Sequence, residues 1–356
     1  MPIKSRRFVF FTLALIISFV LLLIFQNQNI LTNNILINKP ISPQIVYNPT
    51  LNIPKEHISP NEYYAWIPHF DFVDGLSSAI RYKDKIKEVH FAGASVNEEG
   101  NILYSANFDS SLSSLNNNGI KFGINLISTN SNNTKKFLDK GHIDIVNITK
   151  DLKTKYSFLN SLNLNLESLD QKDAPLFLNF INSVNIELDK YNINLFVSVF
   201  APSVKANKLM LTLDAFDDIN LLIKSCDKLV ILFYDYGLNG NGIGNSPALW
   251  LENSLASIKP SSRDKVIVGL PLYGYEINSS NQILRSYTYT QIQRLSGISN
   301  IQVDTTSDEP YFVNSGNKVY FMDKDSLNKR KSIGKSYGIN SFFYWRLGGD
   351  EGIWVD

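Results

Sequence analysis

From Tyr63 to the end of the chain, short apolar runs alternate with longer amphipathic or polar stretches. Eight runs read as strands: Tyr64–Phe70, Glu88–Gly93, Lys121–Ile127, Asn163–Glu167, Asn194–Phe200, Lys228–Tyr234, Lys265–Leu270 and Ser341–Arg346. Several are continuously apolar, as in Leu229-Val-Ile-Leu-Phe233, which suits parallel strands covered on both faces. Between them, Ala174–Lys190 is the clearest helix. Phe177, Ile181, Val184 and Leu188 form one stripe, with Asp173 placed to cap it and Pro175 in its first turn. Leu211–Lys224, Ser246–Ile258 and Ser326–Tyr337 carry weaker helical patterns, the last with Leu327, Ile333 and Tyr337 as its apolar positions. Strands alternating with crossovers at this density predict an α/β fold, a (β/α)₈ TIM barrel over residues 62–356. One interval, about 276–335, is too long for a crossover. Its short alternating pieces, Tyr311-Phe-Val and Lys318-Val-Tyr-Phe-Met, predict a small α+β insertion between strands seven and eight.

The N-terminal pattern is different. Residues 1–7 are basic and polar, and Phe8–Phe25 is apolar without a charge. At about 1.5 Å per residue such a helix nearly crosses a hydrocarbon core of about 30 Å. Lys4, Arg6 and Arg7 on its near side predict a cytoplasmic N-terminus and a transmembrane signal anchor at 8–25, with the barrel exported. The alternative is secretion after cleavage of a signal peptide, although no small-x-small exit follows the run. Residues 26–61, with Pro40, Pro43, Pro49, Pro54 and Pro60 among many Asn, read as an extended linker.

Composition narrows the partners. Hydrophobic residues at 44% and charged residues at 19% exclude a disordered chain. The net charge of +1 is smaller than the contribution of Lys4, Arg6 and Arg7 alone, so nucleic acid is not an expected partner. Cys226 stands alone, beside an apolar run, and reads as a small core residue. His57, His69, His90 and His142 are scattered, so neither a metal nor another cofactor is expected.

The chemistry concentrates at predicted strand ends, where a barrel of this kind carries its site. Asn163, Asn165 and Glu167 are two apart and share one strand face, with Leu162, Leu164 and Leu166 on the other. Trp66 stands on the first strand. Tyr234, Asp235 and Tyr236 end the sixth, Tyr273 and Tyr275 follow the seventh, and Trp345 and Arg346 end the eighth. Aromatic faces stack on the apolar faces of sugar rings, while Asp, Asn and Arg bond to hydroxyls and amides; the mixture suits a carbohydrate groove. Taken singly, Glu167 reads as a solvated acid and the rings as core. Their joint placement at one end of the barrel singles them out.

In these blocks the chain resembles glycoside hydrolase family 18, the chitinase-like barrels, and most nearly the bacterial cell-wall and spore-germination branch. Ala65-Trp66-Ile67-Pro68 is similar to the first strand. Asn163-Leu-Asn165-Leu-Glu167 is similar to the fourth-strand signature, which in the family has Asp at the Asn positions. Leu232-Phe233-Tyr234-Asp235-Tyr236 matches the sixth strand, Gly269-Leu-Pro-Leu-Tyr273-Gly-Tyr275 the seventh, and Phe343-Tyr344-Trp345-Arg346-Leu347-Gly348-Gly349-Asp350 the eighth. The family also carries an insertion between strands seven and eight.

The resemblance implies retaining, substrate-assisted hydrolysis of a polymer of N-acetylated sugars, chitin-like or peptidoglycan, in which the acetamido oxygen attacks the anomeric carbon. It implies Glu167 as general acid and then base, with Asn165 and Tyr234 beside the acetamide. Asn163, Asp235, Trp345, Arg346, Tyr273 and Trp66 are the implied binding residues. Asn165 cannot supply the negative charge of the family's Asp, so weakened turnover is expected. Two other readings stay open: a non-hydrolytic, lectin-like glycan binder, and a scaffolding protein of the envelope.

Overall fold

The computed structural model describes residues 60–140, 142–169, 171–202, 218–236 and 244–355, together with Thr212 and Phe216. The chain runs through β1 (Glu62–Pro68), α1 (Phe72–Arg81), β2 (Ile86–Val96), β3 (Ile102–Tyr104), α2 (Phe108–Asn117), β4 (Phe122–Ser128), α3 (Ser131–Lys140), α4 (His142–Lys155) and β5 (Leu159–Leu166). It continues with α5 (Ala174–Asp189), β6 (Asn194–Phe200), α6 (Ile219–Lys224), β7 (Lys228–Leu232), α7 (Ala248–Ala256) and β8 (Val266–Pro271). Then come β9 (Tyr273–Ile277), β10 (Ile283–Thr288), α8 (Tyr289–Ile292), β11 (Gln302–Asp304), β12 (Glu309–Asn314), β13 (Asn317–Tyr320), α9 (Lys324–Ser336) and β14 (Ser341–Trp345).

Each of the eight expected runs forms one strand of a parallel sheet ordered β1-β14-β8-β7-β6-β5-β4-β2, and β1 pairs with β2 to close it. The fold is a TIM barrel. Alternation sorts its side chains. Leu162, Leu164 and Leu166 of β5, Leu195 and Val197 of β6, and Leu229 and Ile231 of β7 point outward into the main core under the helices. Inside, Tyr64, Trp66, Phe196, Phe200, Val230, Leu232, Ile267 and Phe343 fill one half of the lumen. The other half is polar: Asn125 of β4, Ser161, Asn163 and Asn165 of β5, and Ser198 of β6 are all buried.

At the amino-terminal end of that polar half, Glu88 and His90 of β2 meet β5. His90 Nε2 lies 3.2 Å from Glu88 Oε1 and 3.1 Å from Ser161 Oγ. Asn160 Nδ2 donates to Glu88 Oε2 at 2.7 Å, and Ser161 Oγ donates to Glu88 Oε1. Gly123 makes the room, because a Cβ there would sit 2.1 Å from Ser161 Oγ.

Helix α5 buries Phe177, Phe180, Ile181, Val184 and Leu188, at about 1.5–3 kcal/mol for each large side chain removed from water. Asp173 precedes it without making a side-chain cap and instead pairs with Lys135 at 3.2 Å. The described part of the next helix begins only at Ile219, where Asp218 accepts from Asn220 N at 2.9 Å. Helix α7 begins after Pro247, two residues later than expected. Helix α9 begins two residues early, at the cap supplied by Asp323, whose side chain accepts from Ser326 N at 2.8 Å.

The insertion is an antiparallel sheet ordered β10-β9-β13-β12-β11 with the short α8. It starts at Tyr273, earlier than expected, because β9 follows β8 after the single residue Leu272. Among the described residues no helix is long and apolar enough to cross a membrane. The apolar run Phe8–Phe25, and the linker as far as residue 59, lie outside them.

Candidate active site

The row of amides on β5 faces the lumen. Asn163 is fully buried, and its Oδ1 accepts from Ser198 Oγ at 3.0 Å. Asn165, one step nearer the mouth, donates through Nδ2 to Glu167 Oε1 at 2.9 Å. Glu167 lies just past the strand end and is only partly exposed. Burial pushes its carboxyl up to about 7, the charge of Asp235 adds to the rise, and the bond from Asn165 opposes it. A carboxyl poised there can both give and take a proton near neutrality. Asn160 sits apart, in the Glu88 cluster at the other end of the strand.

Tyr234 and Asp235 follow β7. The Tyr234 ring is buried, and its hydroxyl is raised well above the ordinary phenol range by burial, then by Glu167 and Asp235. Asp235 has φ +63°, a left-handed backbone rarely adopted by a residue with a side chain other than Asn or Asp. Its carboxylate accepts from the hydroxyls of both Tyr273 and Tyr275 on β9. Burial raises the Asp235 carboxyl above its usual value, and the two tyrosine bonds offset only part of the rise.

Trp345 ends β14 and Arg346 follows it. Arg346 Nη1 is paired with Asp71, and its guanidinium lies 5.3 Å from the ring centre of the exposed Phe70. A pocket of about 290 Å³ is lined by Phe70, Asp235, Tyr273, Tyr275, Trp345 and Arg346, with Ser286, Tyr287, Thr288 and Gln291 from the insertion. Two of the expected binding residues, Asn163 and Trp66, are fully buried and do not line this pocket. Trp66 belongs wholly to the packing. It has no exposed surface, stacks on Phe343 with ring centres 3.6 Å apart, and has its ring centre 5.8 Å from that of Trp345. It belongs to the lumen packing beneath Trp345 and presents no face to a sugar.

Three residues near the site escaped the sequence reading. Asn125, opposite Asn163 on β4, is buried with neither side-chain atom hydrogen-bonded. Its signal was available: it alternates with the outward Ile124 and Leu126. Asn245, just before α7, has its Oδ1 accepting from Asp235 N at 2.7 Å. Glu309 of β12 is fully buried and accepts from Asn245 N at 2.9 Å and Ser246 N at 2.6 Å. Asn245 lies in a loop and Glu309 in the insertion, and no local pattern marks either.

A TIM barrel with a perturbed acid, an aromatic-lined groove and an insertion after its seventh strand defines a class of carbohydrate-directed folds. Residues 104–350 match the family model of the glycosyl hydrolases family 18, and the chain belongs to that family. An uncharacterized glycosylase of Bacillus subtilis, YvbX, is 28% identical over 158 residues, covering 42% of this chain and 41% of that protein. Among solved structures, the spore cortex-lytic enzyme SleL of Bacillus cereus superposes with a TM-score of 0.67 at 17% identity, covering 86% of this chain and 76% of that one. A chitinase from Chromobacterium violaceum gives the same TM-score and identity, covering 83% of this chain and 96% of that one. At such identities the likenesses speak to the fold.

Proposed function

We propose that the chain is a glycosidase held at the outer face of the membrane, acting on polymers of N-acetylated sugars, chitin-like or peptidoglycan. The observation that carries this reading is the Glu167 carboxyl, raised to about 7 at the barrel mouth within the electrostatic reach of Tyr234 and Asp235. In the proposed reaction the substrate's own acetamido oxygen attacks the anomeric carbon while Glu167 gives its proton to the leaving glycosidic oxygen. The Glu167 carboxylate then takes a proton from the water that opens the cyclic cation, which restores both groups. Tyr234 would hydrogen-bond the acetamide, Trp345 would floor the sugar, and Asp235 would supply the negative charge that residue 165 lacks. The export part of the proposal rests on Phe8–Phe25 behind its basic flank.

The Asn row supports weak turnover. A lost preorganised electrostatic partner costs about 10²–10³ in rate. Asn165 keeps some function, because a half-turn of its amide offers a donor to ionised Glu167 or an acceptor to the protonated form. One observation favours the second reading, a glycan binder without turnover: the bond from Asn165 Nδ2 stabilises the carboxylate, the wrong form for an acid.

Digestion of N-acetylglucosamine oligomers and purified peptidoglycan, followed by mass spectrometry, separates the two. Under the hydrolase reading the wild type cleaves slowly, Glu167→Gln abolishes cleavage, and Asn165→Asp raises the rate by up to about 10²–10³. Oligomer binding without any product would leave the binder.

A further inference from the structure

We infer that Glu309, in the insertion, is a positioning residue that holds the Asp235 carboxylate beside Glu167 through the side chain of Asn245. The inference rests on the reading of Glu167 and Asp235 as the reacting pair. Glu309 is on β12, outside the barrel and outside the groove lining. Its two oxygens take the backbone N–H groups of Asn245 and Ser246, in the segment that leads into α7. Gly244, at φ +82°, admits this approach, since a Cβ there would lie 2.6 Å from Glu309 Oε1. Asn245 is thereby fixed with its Oδ1 on Asp235 N, its backbone oxygen on Tyr236 N at 3.1 Å and its Nδ2 3.5 Å from the Tyr273 carbonyl.

The other side of Glu309 is closed by Arg330 of α9, 3.8 Å away, with both side chains fully buried. Arg330 directs its remaining donors to backbone carbonyls, among them Ser246 at 2.8 Å and Ser307 at 3.2 Å. A buried charge pair of this kind contributes little net stability, yet breaking it leaves an uncompensated charge. What it secures is geometry. Asp235 stands in a left-handed conformation, which Asp tolerates better than most residues, and Asn245 bonds its N–H. Tyr273 and Tyr275 hold the Asp235 carboxylate from β9 and Asn245 holds its backbone, so loss of the Asn245 bond removes one of the restraints that keep the charge near Glu167.

The ionisation of Glu167 reads that movement directly. The groups that act on it are Asp235 and Asn165, and Tyr234 feels its charge in turn. Its protonated carboxyl band in the infrared, assigned by its loss in Glu167→Gln, is followed against pH in the full chain. Removing the like charge in Asp235→Asn lowers the midpoint. Glu309→Gln lowers it in the same direction, because the amide cannot accept both N–H groups. The double variant Glu309→Gln/Asp235→Asn goes no lower than Asp235→Asn alone. Asn245→Ala interrupts the same chain of bonds, gives the same downward shift, and decides the matter should Glu309→Gln fail to fold. Unchanged midpoints in both Glu309→Gln and Asn245→Ala overturn the inference. So do additive shifts in the double variant, or an Asp235→Asn midpoint equal to wild type. A general loss of fold stability would lower the melting temperature without this pattern. The titration needs no turnover, so a chain that cleaves nothing sinks the hydrolase reading while this result stays readable.

Discussion

Glu167 is kept protonated at the expense of the fold. A carboxyl whose pKa rises from the usual range to about 7 on folding binds its proton more tightly when folded. The penalty is therefore absent below about pH 4, grows as pH rises, and is complete above about pH 7. A tenfold tighter hold on the proton corresponds to about 1.4 kcal/mol, so the penalty is about 2–3 kcal/mol after allowing for partial exposure. Glu167→Gln is expected to stabilise the protein by that order at pH 8 and to leave stability unchanged near pH 4. Denaturant unfolding at the two pH values checks it. An equal effect at both would mean that the carboxyl is not held neutral by burial. The spacing of Asn163, Asn165 and Glu167 made this residue legible, because a period of two on a strand fixes a common face. The same logic misled at Trp66. Alternation says that a residue points into the lumen and is silent on how deep it lies, and Trp66 is covered by Trp345 and Phe343.

Among the elements, β2 and β5 are joined by the Glu88 cluster, far from the mouth. Burial raises the Glu88 carboxyl, but the bonds from His90, Ser161 and Asn160 outweigh it and hold the group below its usual value. Stability from a lowered carboxyl is present above the unfolded value and is lost as pH falls through the folded one. Glu88→Gln removes the negative partner of three donors and is expected to cost about 3 kcal/mol at neutral pH. That difference shrinks as the pH falls below the ordinary carboxylate range and is lost once the wild-type carboxyl is protonated in the folded protein. A pH-independent difference in unfolding free energy would contradict this account. The strands themselves were readable because the buried parallel ones are continuously apolar. Helix starts were less so. Asp173 had the chemistry of a cap, yet Lys135 drew its carboxylate away, a tertiary contact that no local pattern contains.

For the whole molecule, the groove is shared between the barrel and its insertion, and Trp345 lies at their junction. Trp345→Ala is expected to weaken the binding of N-acetylated oligomers at least about tenfold, equivalent to about 1.4 kcal/mol. Isothermal calorimetry on the Glu167→Gln background measures this without turnover, and unchanged affinity would move the sugar to another surface. The insertion was foreseeable as an overlong interval between strands. Its contribution to the site was not, because Glu309 reaches Asn245, and through it Asp235, only after the chain has folded back across 64 positions. The bonded contact between Glu309 and the 245–246 backbone also limits engineering. A chimera that exchanged the five-stranded module between sister barrels would transplant the key and leave behind the lock formed by Gly244, Asn245 and Arg330. Such hybrids would fold with a misaligned catalytic pair unless all four positions travelled together.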